Sequence, residues 1–92
     1  MRDNFSIDIS PKGGSLHLEL SGNFDGAAAY ELLNTIKRYG DGAKRIFINS
    51  RNLRKIYPFG LAVLENNLYT VKEQSKKIIF TNENWGEMIL QG

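Results

Sequence analysis

The sequence predicts a small α/β domain in which helices pack on a mixed, mostly parallel β-sheet. Three observations predict it. Two runs near the start alternate apolar and polar residues with the period of a half-buried strand. Two later runs repeat apolar residues at helical spacing. Two compact apolar triplets, Ile46-Phe47-Ile48 and Ile78-Ile79-Phe80, each follow a helical run, as buried parallel strands do. The implied order is β-β-α-β-α-β-α, one domain over residues 1–92 with right-handed crossovers.

Each element has its own signal. Phe5, Ile7 and Ile9 alternate with Ser6, Asp8 and Ser10, and Leu16, Leu18 and Leu20 alternate with His17 and Glu19. Between them Pro11-Lys12-Gly13-Gly14 supplies a fixed φ and then residues that accept positive φ, so the two strands form a hairpin. Residues 21–25, Ser-Gly-Asn-Phe-Asp, read as a loop whose last residue, Asp25, is the N-cap of a helix from Gly26 to Tyr39. Ala29, Leu32, Leu33 and Ile36 form its apolar stripe, and Lys37 and Arg38 favour its negative end. Gly40 then reads as a left-handed stop. The triplet Gly40-Asp41-Gly42 ends a helix and enters a strand, the reverse of a phosphate-binding loop.

Ile46-Phe47-Ile48 is expected to be a central parallel strand, and residues 49–56 a polar, basic loop interrupted by Leu53. Pro58 suits the first turn of the second helix, where its missing N–H has no partner to lose. Leu61, Leu64, Leu68 and Val71 supply that helix's apolar stripe. Lys76 and Lys77 introduce the strand Ile78-Ile79-Phe80, and Trp85 to Leu90 reads as a last short helix. Leu32, Ile36, Ile48, Leu64 and Leu68 are expected in the core. The apolar last strand predicts a sheet covered on both faces, by helices or by a second copy of the chain.

Composition excludes several classes of function. With 41% hydrophobic and 24% charged residues the chain is globular rather than disordered. Zero cysteines remove disulfides, thiolate catalysis and cysteine-bound metals, and a single histidine argues against a histidine-rich metal site. No metal or cofactor is expected. A net charge of +2 is too small to argue for nucleic acid or an anionic membrane. No apolar run reaches the about 18 residues of a membrane span, and Met1-Arg2-Asp3-Asn4 lacks a signal peptide's apolar segment. The expected compartment is the cytoplasm, where the sequon Asn4-Phe5-Ser6 carries no meaning.

No catalytic constellation is legible: there is no nucleophile elbow, Walker loop or dinucleotide fingerprint. His17 reads as a surface histidine beside Glu19, while a helix cap and a helix-surface charge explain Asp25 and Glu31. Arg51, Arg54 and Lys55 precede a helix start, which makes either an anion site or a solvated loop. Residues 56–60, Ile-Tyr-Pro-Phe-Gly, stand at the strand C-terminal edge, where α/β folds place function. They either close the core or form an exposed contact patch.

Gly22-Asn23-Phe24-Asp25 before an alanine-rich helix resembles the Gly-x-Leu-Asp signature of the STAS domain (sulfate transporter and anti-sigma factor antagonist). Residues 48–53, Ile-Asn-Ser-Arg-Asn-Leu, followed by 56–61, Ile-Tyr-Pro-Phe-Gly-Leu, are similar to that family's stretch L-D-L-S-G-L-x-x-I-D-S-S-G-L, with Gly60-Leu61 in register. The resemblance covers nearly the whole chain. It implies a bacterial anti-sigma factor antagonist-like, non-catalytic interaction module in transcription regulation and signalling, whose partner would be an anti-sigma factor or kinase. The family's serine phospho-acceptor position is occupied here by Pro58 and the next by Phe59, neither of which carries a hydroxyl; Tyr57 replaces the preceding aspartate. Asn49 replaces the aspartate at the end of the third strand, while Asp25 is retained. The usual phosphorylation switch is therefore absent, unless Tyr57 or Ser50 is a displaced acceptor. An alternative is a STAS accessory subunit, partnering the ATPase of an ABC lipid transporter or a larger signalling complex. A nucleotide-binding protein is the third reading, for which no site residues converge. The expected partner surface comprises Asp25, Arg54, Lys55, Tyr57, Pro58 and Phe59.

Overall fold

A computed structural model of the chain describes residues 4–81. Strands β1 (Ser6–Lys12) and β2 (Ser15–Phe24) form an antiparallel hairpin around Gly13 and Gly14, whose φ values of 61° and 85° are both positive, as a type I′ turn requires. Helix α1 (Gly26–Tyr39) leads to β3 (Ile46–Ile56), which lies parallel to β2. Helix α2 (Pro58–Asn67), a 3₁₀ turn (Leu68–Val71) and the short α3 (Lys72–Ser75) lead to β4 (Ile78–Phe80), parallel to β3. The strand order β1-β2-β3-β4 makes a mixed sheet in which two of the three pairings are parallel, the α/β architecture expected from sequence. The expected helix from Trp85 to Leu90 lies outside the described residues.

One face of the sheet carries the core. Leu16, Leu18, Leu20 and Phe24 of β2 and Ile46 and Ile48 of β3 pack against Ala29, Leu32, Leu33 and Ile36 of α1, with Leu64 and Val71 behind them. Leu68, expected inside, is half-buried at the margin of this cluster, because the helix tightens into the 3₁₀ turn at that residue and breaks the stripe's spacing. Alternate residues take the opposite face. There His17 stacks on its cross-strand partner Phe47, centroids 4.8 Å apart, and Ile79 remains exposed. Among the described residues the helices bury one face, not both.

Three local expectations are corrected. Residues 21–24 belong to β2 rather than to a loop, since Gly22-Asn23-Phe24 keep pairing with Leu53, Lys55 and Ile56. Residues 49–56 are likewise strand: β3 runs eleven residues and carries two bulges, each with one extra residue opposite β2. Their polar composition misled because Arg51, Asn52, Arg54 and Lys55 are exposed, while the backbone is held by β2 and Leu53 and Ile56 pack against the core. Gly40 is right-handed, with φ −86° and ψ −16°. A glycine stands there for space, since a Cβ would lie 2.5 Å from the Ile36 carbonyl oxygen and 2.9 Å from Ile46 Cδ1. The loop after it is held by Lys77, whose Nζ donates to the carbonyls of Gly40 (2.8 Å), Asp41 (3.1 Å) and Ala43 (2.8 Å).

Candidate functional site

The C-terminal ends of β2 and β3 deliver the starts of α1 and α2 to one edge of the sheet. Asp25 leaves β2 and caps α1, its Oδ1 accepting a hydrogen bond from the Ala28 N–H at 2.9 Å. The Tyr57 N–H donates to the Phe24 carbonyl at 3.0 Å and ties the start of α2 to the same junction. Gly60 makes that approach close: a Cβ on it would lie 2.7 Å from the Phe24 carbonyl oxygen and 2.9 Å from the backbone of Asp25. Glycine is thus the residue that lets α2 rest on the β2–α1 junction.

This packing decides the orientation of residues 56–60, which go both ways. Ile56 is half-buried and Gly60 is buried, while Pro58 is exposed. Tyr57 is 37% exposed and Phe59 is 71% exposed. The Phe59 ring lies along the first residue of α1, where a Cβ on Gly26 would come within 2.8 Å of its Cε2. One side of the ring therefore rests on protein and the other meets water. Lys55 Nζ stands 5.0 Å from the Tyr57 ring centroid, a cation–π pair that holds a positive charge beside the aromatic patch.

Of the six residues expected to form the partner surface, the fold gathers Asp25, Tyr57, Pro58 and Phe59 around the two helix starts, with Lys55 on Tyr57. Arg54 is the extra residue of the second bulge, exposed on the neighbouring stretch of β3. The three cations read as a loop before a helix do not converge as one: Arg51 belongs to the first bulge, three residues earlier on β3. Asn49 stabilises that bulge, its Oδ1 accepting from the Arg51 N–H at 2.8 Å.

No hydroxyl stands in the first turn of α2, which opens Pro58-Phe59-Gly60. Ser50 is 8% exposed within β3. His17 lies on the open sheet face, away from both helix starts. It lines a groove of about 340 Å³ with Asp8, Glu19, Phe47, Asn49 and Thr81. Sequence reasoning did not foresee this groove. The alternation of β2 marks His17 and Glu19 as outward, but only the register against β3 sets Phe47 and Asn49 beside them. Among the described residues no group of three or more histidine, aspartate and glutamate side chains is placed to hold a metal ion.

No family model matches the sequence, and no curated protein matches it. Among solved structures, the fold is similar to "Structure of the Anti-Sigma Factor Antagonist SpoIIAA in its Unphosphorylated Form", with TM-score 0.51 and 12% identity over 95% of this chain and 97% of that one. It is also similar to the structure described as "Crystal Structure Analysis of Mglu", with TM-score 0.68 and 13% identity over 82% of this chain. This chain spans 19% of the length of that protein. At these identities the likeness is one of fold.

Proposed function

We propose that this chain, whose fold is STAS-like, works as a non-catalytic protein-interaction module, anti-sigma factor antagonist-like, whose docking state is fixed by its sequence. The observation that carries this reading is Phe59, an aromatic ring 71% exposed at the start of α2 and backed by the first residue of α1. An exposed ring held from behind is a ready anchor, since aromatic residues concentrate binding energy when a partner desolvates them. Pro58 fixes φ in the same turn and lowers the ordering that binding requires. The Lys55–Tyr57 pair sets a cation at the rim of the patch, suited to an acidic group on the partner. Asp25 is engaged as the cap of α1 and shapes the surface through the helix it starts.

In this reading the switch has no site. A phosphate on the first turn of α2 would add nearly two negative charges to the docking surface, and Pro58 and Phe59 cannot accept one. The partner is a protein, with an anti-sigma factor as the first candidate, and cytoplasmic bacterial regulation is the matching context. Among the described residues no helix is long and apolar enough to cross a membrane. The test is binding of purified anti-sigma factors by calorimetry, with melting temperature measured on the same samples. Phe59→Ser and Tyr57→Ala are expected to weaken binding by about 1–3 kcal/mol each while the fold persists. Unchanged affinity in both folded variants would place the interface elsewhere on the domain.

A further inference from the structure

Strand β1 is an edge of the sheet, paired only with β2 among the described residues. In a two-residue hairpin the closing pair, here Lys12 and Ser15, exchanges both backbone hydrogen bonds, and bonded and non-bonded pairs then alternate along the ladder. Pro11, Ile9 and Ile7 therefore turn their backbone groups outward. Pro11, which has no N–H, therefore costs no bond of the β1–β2 ladder. The side chains of the same three residues share the face of the core, because they pair with Leu16, Leu18 and Leu20. Among the described residues the cover runs out there. Ile7 is half-buried, Ile9 is 39% exposed and Pro11 is exposed. A groove of about 600 Å³ lies between Ile9 and α1, walled by Glu31, Thr35, Lys37, Arg38 and Tyr39.

We infer that this edge and groove take a second copy of the chain, the two β1 strands pairing antiparallel about a two-fold axis at Ile9. The strand Ser6-Ile7-Asp8-Ile9-Ser10-Pro11-Lys12 is self-complementary in that register. Ile9 faces Ile9, Ile7 faces Pro11, Asp8 faces Ser10 and Ser6 faces Lys12. The outward backbone groups then bond across the axis at Ile9, and each Ile7 N–H donates to the other copy's Pro11 carbonyl, while Pro11, without an N–H, returns no bond to the Ile7 carbonyl. Ile7, Ile9 and Pro11 of both copies close one apolar cluster on the helix side. On the other side Asp8 lies diagonal to both Lys12 and Asp8 of the second copy, so that face adds no net charge complementarity. Charge on α1 fits the same axis. The two-fold sets the two α1 helices antiparallel, so the acidic end of each groove wall, at Glu31, faces the basic end of the other, at Lys37 and Arg38. An isologous interface demands such self-complementarity, whereas a foreign strand does not.

Sedimentation equilibrium on the full chain, from micromolar to millimolar concentration, tests the inference. A concentration-dependent dimer is expected. Arg38→Glu should raise its dissociation constant roughly tenfold, and adding Glu31→Arg should restore it. Because the chain has no cysteine, Ile9→Cys offers a second readout. Directly opposed bonded pairs lie about 5.5 Å apart at Cα, inside the range a disulfide spans, so oxidation should cross-link this variant. Tyr69→Cys, exposed on the 3₁₀ turn, should not cross-link. A chain that stays monomeric overturns the inference, whether exchange of the Ile9 amide is slow (the edge covered by the same chain) or fast (the edge left for another protein). So does a dimer that Arg38→Glu leaves unchanged, or equal cross-linking at positions 9 and 69. Arg38 is exposed on α1, so the charge reversal reports even if a change in β1 disturbs folding.

Discussion

Two glycines with the same covalent structure do opposite things at the scale of the residue. Gly60 has backbone atoms of Phe24 and Asp25 within 2.7–2.9 Å of where a Cβ would stand, and backbone does not yield cheaply. Gly42 has nothing within 4 Å. Gly60→Ala is therefore expected to cost about 1–3 kcal/mol, because α2 must move off the β2–α1 junction. Gly42→Ala is expected to be neutral or to stabilise by up to about 1 kcal/mol through the unfolded chain. Urea unfolding of the two variants beside the parent chain checks the contrast. Equal effects at the two positions would mean that α2 does not rest on the junction as described. Lys77 shows the same dependence on place: its ammonium serves three carbonyls of the loop after α1, which its sequence position before β4 does not announce.

At the scale of the element, the helices owe their place to one buried stripe each. Leu32 of α1 is fully buried and Leu64 of α2 nearly so, and both touch the same core. Leu→Ala at either position is expected to cost about 2–5 kcal/mol, a large part of the stability of so small a domain. Thermal and urea unfolding of the two variants measure it, and losses within a few tenths of a kcal/mol would show that these stripes do not face the core. Strand β3 is held differently. Its first half buries Ile46 and Ile48, whereas its second half exposes Arg51, Asn52, Arg54 and Lys55 and is held by backbone pairing with β2 and by Leu53 and Ile56 at the margin of the core. The continuous apolar run therefore made the first half legible and left the second to look like a loop.

At the scale of the whole molecule, the proposed absence of a phosphorylation switch rests on how the two helix starts meet. The STAS-like fold brings the starts of α1 and α2 together, and in this chain the resulting surface is aromatic and cationic, with no hydroxyl in the first turn of α2. Incubation with anti-sigma kinases and ATP, followed by mass spectrometry, is expected to find no phosphate on the start of α2. Ser50 is a poor substitute acceptor, because a kinase would have to reach a side chain 8% exposed within the sheet. Stoichiometric phosphate on Ser50 or Tyr57 would restore a switch and overturn the fixed docking state.

By itself the sequence determined the element order from β1 to β4, the limits of α1, its Asp25 cap, the proline in the first turn of α2, and the lack of a hydroxyl there. These are local properties: side-chain periodicity reports which face seeks burial, and caps and prolines act within a few residues of themselves. The tertiary structure alone decided how far β2 and β3 run, why Gly40 is a glycine, that Phe59 faces water, and that among the described residues the edge at β1 is short of cover. Each of these depends on a neighbour distant in the chain, β2 for the polar half of β3, Ile46 for Gly40, Gly26 for Phe59 and the reach of α1 for Ile9. A pattern along one strand of sequence encodes what a residue would bury, and the packing of remote elements decides what room is left to bury it.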